Sequence, residues 1–142
     1  MTRRTLQSAM MLGAGLALAM WPRSASAETT QEHIVRLHGE VTSLADQVFE
    51  TGTYSAADVA KNLLAIQREA HALSEASARA NVEYMQQHAG QANASLETVQ
   101  LEDDFLDAQI DALWDYMDSN TPAFKGAYDA ANQQESTLEQ QF

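Results

Sequence analysis

The stretch from residue 95 to residue 120 limits the possible folds more than any other part of the chain. It reads SLETVQLEDDFLDAQIDALWDYMDSN and contains no proline, no glycine and no basic residue. Its large apolar residues recur every three or four positions, which is the period of an α-helix rather than of a strand. The main apolar row consists of Leu96, Val99, Leu106, Ile110, Leu113 and Met117. We therefore predict a long amphipathic helix over this stretch.

Two further rows run along the same helix and bear on what it contacts. The second apolar row contains Leu101, Phe105, Ala108, Ala112 and Tyr116, and an acidic row contains Asp104, Asp107, Asp111, Asp115 and Asp118. Residues three or four apart are neighbours on a helix surface, so each row forms a stripe. The acidic stripe is typical of a solvated face, or of diffuse cation binding. The large residues of the second row predict either a wider core or a contact with a protein partner or a second copy, through Leu101, Phe105 and Tyr116.

Helical spacing continues on both sides of this stretch. Capping residues, glycines and a proline mark where each segment begins and ends. The predicted segments are helix 1 over 30–51 between Thr29 and Gly52, helix 2 from 56 to His88, helix 3 after the cap Ser95, and helix 4 after Thr121 and Pro122. Alternatively, helix 2 weakens after Ala80, where its sequence becomes polar.

Four amphipathic helices joined by short links predict an all-α domain over 28–142, an up-down-up-down four-helix bundle. A short first link, a looser middle link and a proline-assisted last link give an arrangement that resembles cytochrome b562 in architecture. In that family a methionine of helix 1 and a histidine of helix 4 hold a haem. Here helix 1 has no methionine and helix 4 has no histidine, so those haem ligands do not carry over.

The first 27 residues have the three parts of an export signal. Thr2-Arg3-Arg4 is a basic start, residues 8–21 are apolar, and Ala25-Ser26-Ala27 is a small-residue cleavage site. The apolar run of about 14 residues is shorter than the roughly 20 that span a bilayer, which favours cleavage after Ala27 over a retained anchor. The paired arginines resemble a twin-arginine signal, with ordinary export as the alternative. We therefore predict a periplasmic protein whose mature form has no membrane span.

Composition excludes several classes of function. The chain has no cysteine, which rules out disulfides, thiolate metal sites and covalent haem attachment. Residues 28–142 keep all 20 acidic residues but only five basic residues, which gives a net charge of −15. This charge disfavours nucleic acid and anionic membranes, and it suits cations, a basic protein surface or solubility alone. No phosphate loop, nucleophile elbow or zinc-protease motif is present, so we predict that the protein is not an enzyme.

Two acidic residues interrupt the apolar rows, Asp103 in helix 3 and Glu135 in helix 4. Counted outward from the last link at about 1.5 Å per residue, their levels differ by about 5 Å, so the two carboxylates could meet. Buried carboxylates side by side raise one pKa or call for a cation. The alternative is that both acids reach water where the bundle is loose.

Three of the four histidines lie toward the same end of the predicted bundle as these two acids. They are His33, His38 and His88, and Met85 and Glu139 lie at the same end. Imidazole combined with carboxylate suits zinc, copper or haem iron. The sequence therefore predicts His33, His88, Asp103 and Glu135 as candidate metal ligands, with the ion or cofactor unknown and solvent-exposed histidines as the alternative. The fourth histidine, His71, lies off the helix 2 seam and is predicted to be solvated.

Two functions are consistent with these patterns. The first is a non-catalytic periplasmic binding or interaction protein that uses helix 3 as its contact surface, with self-association as one form of that contact. The second is a periplasmic carrier of a transition metal or haem, with its ligands at the end of the bundle that contains His33 and His88.

Overall fold

Four helices account for most of the chain that the structure describes. The structure is a computed structural model and describes residues 28–142. This range contains no strand, and its helices are α1 (Thr30–Asp46), α2 (Ala56–Gln87), α3 (Ala94–Ser119) and α4 (Pro122–Glu139). The prediction of an all-helical domain is confirmed, and the arrangement is consistent with a four-helix bundle. The predicted export signal, its paired arginines and the cleavage after Ala27 lie outside the described residues.

The start of α1 follows from two side chains. The Thr29 hydroxyl accepts a hydrogen bond from the Glu32 amide at 3.0 Å, and the Glu32 carboxylate accepts one from the Thr29 amide at 2.9 Å. This is the predicted capping box, which satisfies two amides that have no partner within the helix. The helical segment ends at the predicted Gly52, which reverses the chain at a φ of 67°, but residues 47–51 form a π-helical turn rather than a continuation of the α-helix.

The link between α2 and α3 is organised by two asparagines. Helix α2 does not weaken after Ala80 but continues to Gln87. The buried Asn81 accepts a hydrogen bond from the Asn93 amide at 2.7 Å, and Asn93 in turn accepts one from the Leu96 amide at 3.2 Å. Asn93 is therefore the cap of α3, and the predicted cap Ser95 is wrong by two residues. Ser95 is instead the second residue of α3, which begins at Ala94.

Helix α3 makes the most extensive contacts within the domain, because it packs along both α2 and α4. Helix α1 packs against α2 and α3. The predicted main row of α3 is the centre of the core, with Leu106, Ile110 and Leu113 fully buried. From the other helices the core receives Ile34, Leu37, Val41, Val59, Leu63, Ile66, Ala70 and Tyr128, among others. No helix within 28–142 combines the length and hydropathy needed to cross a bilayer.

Replacing Leu113 with alanine tests the placement of this core. We expect Leu113→Ala to lower the free energy of unfolding by about 2–5 kcal/mol, because it removes a fully buried side chain and leaves a cavity. Leu101→Ala is the matched control on the same helix, since Leu101 is 47% exposed and its loss should cost less than about 1 kcal/mol. Urea unfolding followed by far-UV circular dichroism measures both, and equal losses would contradict the core described here.

Candidate functional site

Four ionisable side chains from three helices meet inside the fold. They are His38 of α1, Glu102 of α3, and Glu135 and Glu139 of α4, and we call them the buried cluster. Each offers one nitrogen or oxygen atom, and these atoms all lie within 4.8 Å of one another. Glu135 and Glu139 are one helical turn apart, so α4 presents both carboxylates to the same point.

Two of these carboxylates are fully buried, and neither of them receives a hydrogen bond from a described residue. Glu102 and Glu135 are each 0% exposed, and neither oxygen of either carboxylate has a hydrogen-bond partner among the described residues. Most buried polar atoms in native proteins have such a partner. Both groups must therefore either keep a proton, which they can then share, or bind a cation.

The pKa values reflect this confinement. Burial, followed by the charge of Glu102, raises the pKa of Glu135 from 4.5 to about 10. Burial, followed by the charge of Glu139, raises the pKa of Glu102 from 4.5 to about 8. Burial opposes the charged form of His38, but hydrogen bonds to Glu139 and Asn132 outweigh it, and the pKa of His38 is raised. Without a cation, Glu102 and Glu135 are thus neutral acids at neutral pH.

The ring of His38 is held in one orientation by amide side chains. Its Nε2 lies 2.6 Å from Asn132 Oδ1, and the same oxygen accepts a hydrogen bond from Gln109 Nε2 at 3.2 Å. An amide oxygen only accepts, so Nε2 carries a hydrogen and donates it to Asn132. The other ring nitrogen, Nδ1, faces the carboxylates, at 2.7 Å from Glu139 and 3.8 Å from Glu135.

This arrangement has the features of a metal site. A histidine that coordinates a metal through one nitrogen commonly donates its other N–H to a carbonyl or carboxylate oxygen, which fixes the ring. Here Asn132 supplies that oxygen, and Nδ1 with three carboxylates supplies the donors. One nitrogen and three oxygens are enough to bind a dication, and three of the four ligand residues are buried.

A second group of ionisable residues lies nearer the surface, between α2 and α3. It consists of His71, Asp103 and Asp107, and we call it the surface cluster. Nε2 of His71 lies 2.7 Å from an Asp107 oxygen and 3.8 Å from an Asp103 oxygen. His71 was predicted to be solvated, and its side chain is 47% exposed, but its exposed ring also contacts these acids.

The structure separates the four ligands that the sequence predicted. Glu135 belongs to the buried cluster, and Asp103 belongs to the surface cluster. His33 is outside both clusters, and its Nε2 lies 2.9 Å from Oε2 of Glu69 on α2. His88 is also outside both. It ends α2 with its ring stacked on Tyr84 at 3.7 Å and bonded to the Tyr84 carbonyl.

The predicted contact surface on α3 is divided in a similar way. The ring of Tyr116 lies 4.7 Å from that of Phe49 and packs against the core, and Phe105 is half-buried. Leu101 is the most exposed of the three, at 47%. The second apolar row of α3 therefore faces partly toward the core.

Three residues of the buried cluster were not among the predicted ligands, namely His38, Glu102 and Glu139. His38 and Glu139 were noted at the same end of the bundle as Glu135, whereas Glu102 was not singled out. It precedes Asp103 and Asp104, so it looked like part of a solvated acidic run. A signal was present in its spacing, because Glu102, Gln109 and Tyr116 recur every seven residues and therefore share one side of α3. All three turn toward the interior.

Comparisons of this chain with protein-family models, with curated proteins and with solved structures find no match. The functional argument therefore rests on the buried cluster and its surroundings.

The buried acids predict an unusual dependence of stability on pH. The folded pKa values of Glu102 and Glu135 lie above the ordinary value of 4.5. Their contribution to stability is thus fully present below about pH 4.5 and is lost as the pH rises through about 8 and about 10. The raised pKa of His38 acts in the same direction, above its ordinary value of 6.5. With a metal chelator present, we expect the free energy of unfolding to fall by roughly 1.4 kcal/mol per pH unit for each proton that only the folded chain retains.

The matched variants for this measurement are Glu135→Gln and Glu83→Gln. Glutamine at position 135 cannot ionise, so the slope of stability against pH should flatten. Glu83 is exposed on α2, and its replacement should leave the slope unchanged. Urea unfolding in chelator at several pH values gives the slopes, and a stability that increases with pH in the unsubstituted protein would contradict neutral acids in the buried cluster.

Proposed function

We propose that the protein is an exported, non-catalytic metal-binding protein that holds a divalent transition-metal ion in the buried cluster. The observation that carries this proposal is the pair Glu102 and Glu135, fully buried and without a hydrogen-bond donor. A coordinated cation satisfies both carboxylates at once, and the nearby imidazole completes the donor set. The three-part sequence of residues 1–27 supports export to the periplasm.

The donor set favours a bare ion over haem. Three of the four donors are carboxylates, whereas haem iron takes its protein ligands from histidine, cysteine, methionine or tyrosine. The imidazole favours zinc, copper, iron or nickel, and the carboxylates extend the range to manganese. A set of oxygens alone would have suited calcium or magnesium, and His38 is the residue that shifts the preference toward transition metals.

The incoming ion takes the place of protons that the cluster holds. Without metal, Glu102 and Glu135 each keep a proton, and the raised pKa of His38 favours a third proton on its Nδ1. Coordination of a dication by all four donors displaces these three protons, because ligands must give up their protons to coordinate. Affinity should therefore rise with pH.

Metal titration of the purified protein after chelator treatment tests the proposal. We expect one of the ions Mn²⁺, Fe²⁺, Co²⁺, Ni²⁺, Cu²⁺ or Zn²⁺ to bind with release of about three protons, which calorimetry in buffers of different ionisation enthalpy measures. At a free concentration of about 100 times Kd, the ion should stabilise the fold by about 2.7 kcal/mol. Mg²⁺ and Ca²⁺ should bind far more weakly.

Two variants separate the buried cluster from His88, a ligand predicted by sequence that lies outside the cluster. Glu135→Gln should weaken binding by at least about tenfold, which is the smallest loss seen when a supporting group of a metal site is removed. His88→Ala should leave the affinity unchanged, since His88 stacks on Tyr84 outside the cluster. If no ion binds, or if only His88→Ala weakens binding, the buried cluster is not the metal site. A Soret band in protein taken from its native compartment would instead support a haem carrier.

We also propose self-association through α3 as a second candidate function, because Leu101 is exposed on the helix surface. The surface around it is polar, with Glu97, Gln100 and Asp104 beside it, so we expect such a contact to be weak. If it forms, Leu101→Asp should shift the protein from dimer to monomer in sedimentation velocity without changing its circular dichroism. A monomer before and after the substitution would remove this candidate.

A further inference from the structure

The surface cluster joins facing sides of two neighbouring helices. Asp103 and Asp107 are one turn apart on α3, and both lie beside His71 of α2. The closest atom of His71 to each is the same nitrogen, Nε2, at 3.8 Å and 2.7 Å respectively. The three donors are thus directed at one point between the helices.

One buried carboxylate oxygen of this cluster, on Asp103, has no hydrogen-bond partner among the described residues. Asp103 is 6% exposed, and its Oδ1 has no hydrogen-bond partner among the described residues. That oxygen is the one that lies nearest to His71. Burial of an ionised carboxylate is costly unless the charge is paired, so this carboxylate either keeps a proton or pairs with a cation that lies closer than the imidazole.

A supporting hydrogen bond fixes the second acid. The Gln67 side-chain amide donates to Oδ1 of Asp107 at 3.2 Å, while Oδ2 of Asp107 faces His71. Such bonds from outside a coordination sphere orient a carboxylate and leave its other oxygen free to coordinate. The cluster therefore has an oriented ligand as well as an unsatisfied one.

We propose that His71, Asp103 and Asp107 bind a second divalent transition-metal ion at a site open to solvent. Two carboxylates and a neutral imidazole leave a dication uncharged overall, and water fills the remaining coordination positions. Three protein ligands with a coordination position left to water make an open site, whereas four protein ligands make a closed one. This site exchanges its ion with the surroundings, whereas the buried cluster retains its ion.

The two sites share no residue, although they adjoin along the chain. Glu102 and Asp103 are consecutive, and successive side chains diverge by about 100° around a helix. Glu102 thus faces α4 and His38, while Asp103 faces α2. The two sites thus have separate ligand sets, and each can be removed by substitution without taking a ligand from the other.

Titration of chelator-treated protein with Zn²⁺ tests this proposal on the full set of variants. The unsubstituted protein should bind about two ions per chain in a tight and a weak phase. His71→Ala and Asp107→Asn should each weaken the weak phase by more than about tenfold and leave the tight phase in place. Glu135→Gln should do the reverse, so failure of the buried site and failure of the surface site give different results.

The Nε2 resonance of His71 provides a readout that a simple ion pair would not give. Zn²⁺ at Nε2 should shift it at a pH where protonation no longer does, and Asp107→Asn should abolish that shift. His88→Ala is the control and should change neither phase. The proposal is overturned if both surface variants bind as the unsubstituted protein does, or if the His71 resonance responds to pH and not to Zn²⁺. In either case the cluster is an ion pair only.

Discussion

The structure depends on how the fold accommodates carboxylates that it has removed from water. An ionised carboxylate transferred to a protein interior loses several kcal/mol of solvation, even after the surroundings relax. Glu102 and Glu135 have no donor to offset that loss, and Glu139 adds a third acid beside them. The interior can hold this group only by keeping protons on it or by adding positive charge, and His38 alone supplies too little. The packing around the buried cluster is thus linked to proton and cation binding.

The rest of the core compensates for this polar layer. On α1, His38 lies between the fully buried Leu37 and Val41, so the polar layer is set directly into apolar packing. Near the π-helical turn, the Phe49 ring lies 4.7 Å from Tyr116 and 5.3 Å from Tyr128. Aromatic pairs of this kind add stability beyond the area they bury. The apolar and aromatic part of the core therefore stabilises the fold, which allows the buried cluster to keep acidic residues that suit ligand binding but cost stability.

The sequence predicted the helices well because apolar periodicity reports directly on burial. Asp103 and Glu135 were recognised for the same reason, since each interrupts an apolar row. Their partners could not be predicted, because the level of a residue along a helix does not give its direction around the axis. Asp103 and Glu135 lie at similar levels along their helices, but Asp103 points toward His71. The preceding residue, Glu102, points in a different direction around the helix and meets Glu135. Side-chain direction in the assembled fold, and not composition, decided which acids share a site.

Charge and geometry contribute differently to the proposed metal binding. The net charge of −15 over residues 28–142 raises the concentration of any cation near the surface, but it cannot distinguish one dication from another. Discrimination requires a nitrogen donor in a fixed position. In the buried cluster that nitrogen is Nδ1 of His38, and Asn132 fixes it by accepting the hydrogen of Nε2. The acidity of the chain thus attracts cations in general, while the choice among them rests on one imidazole and the amide that orients it.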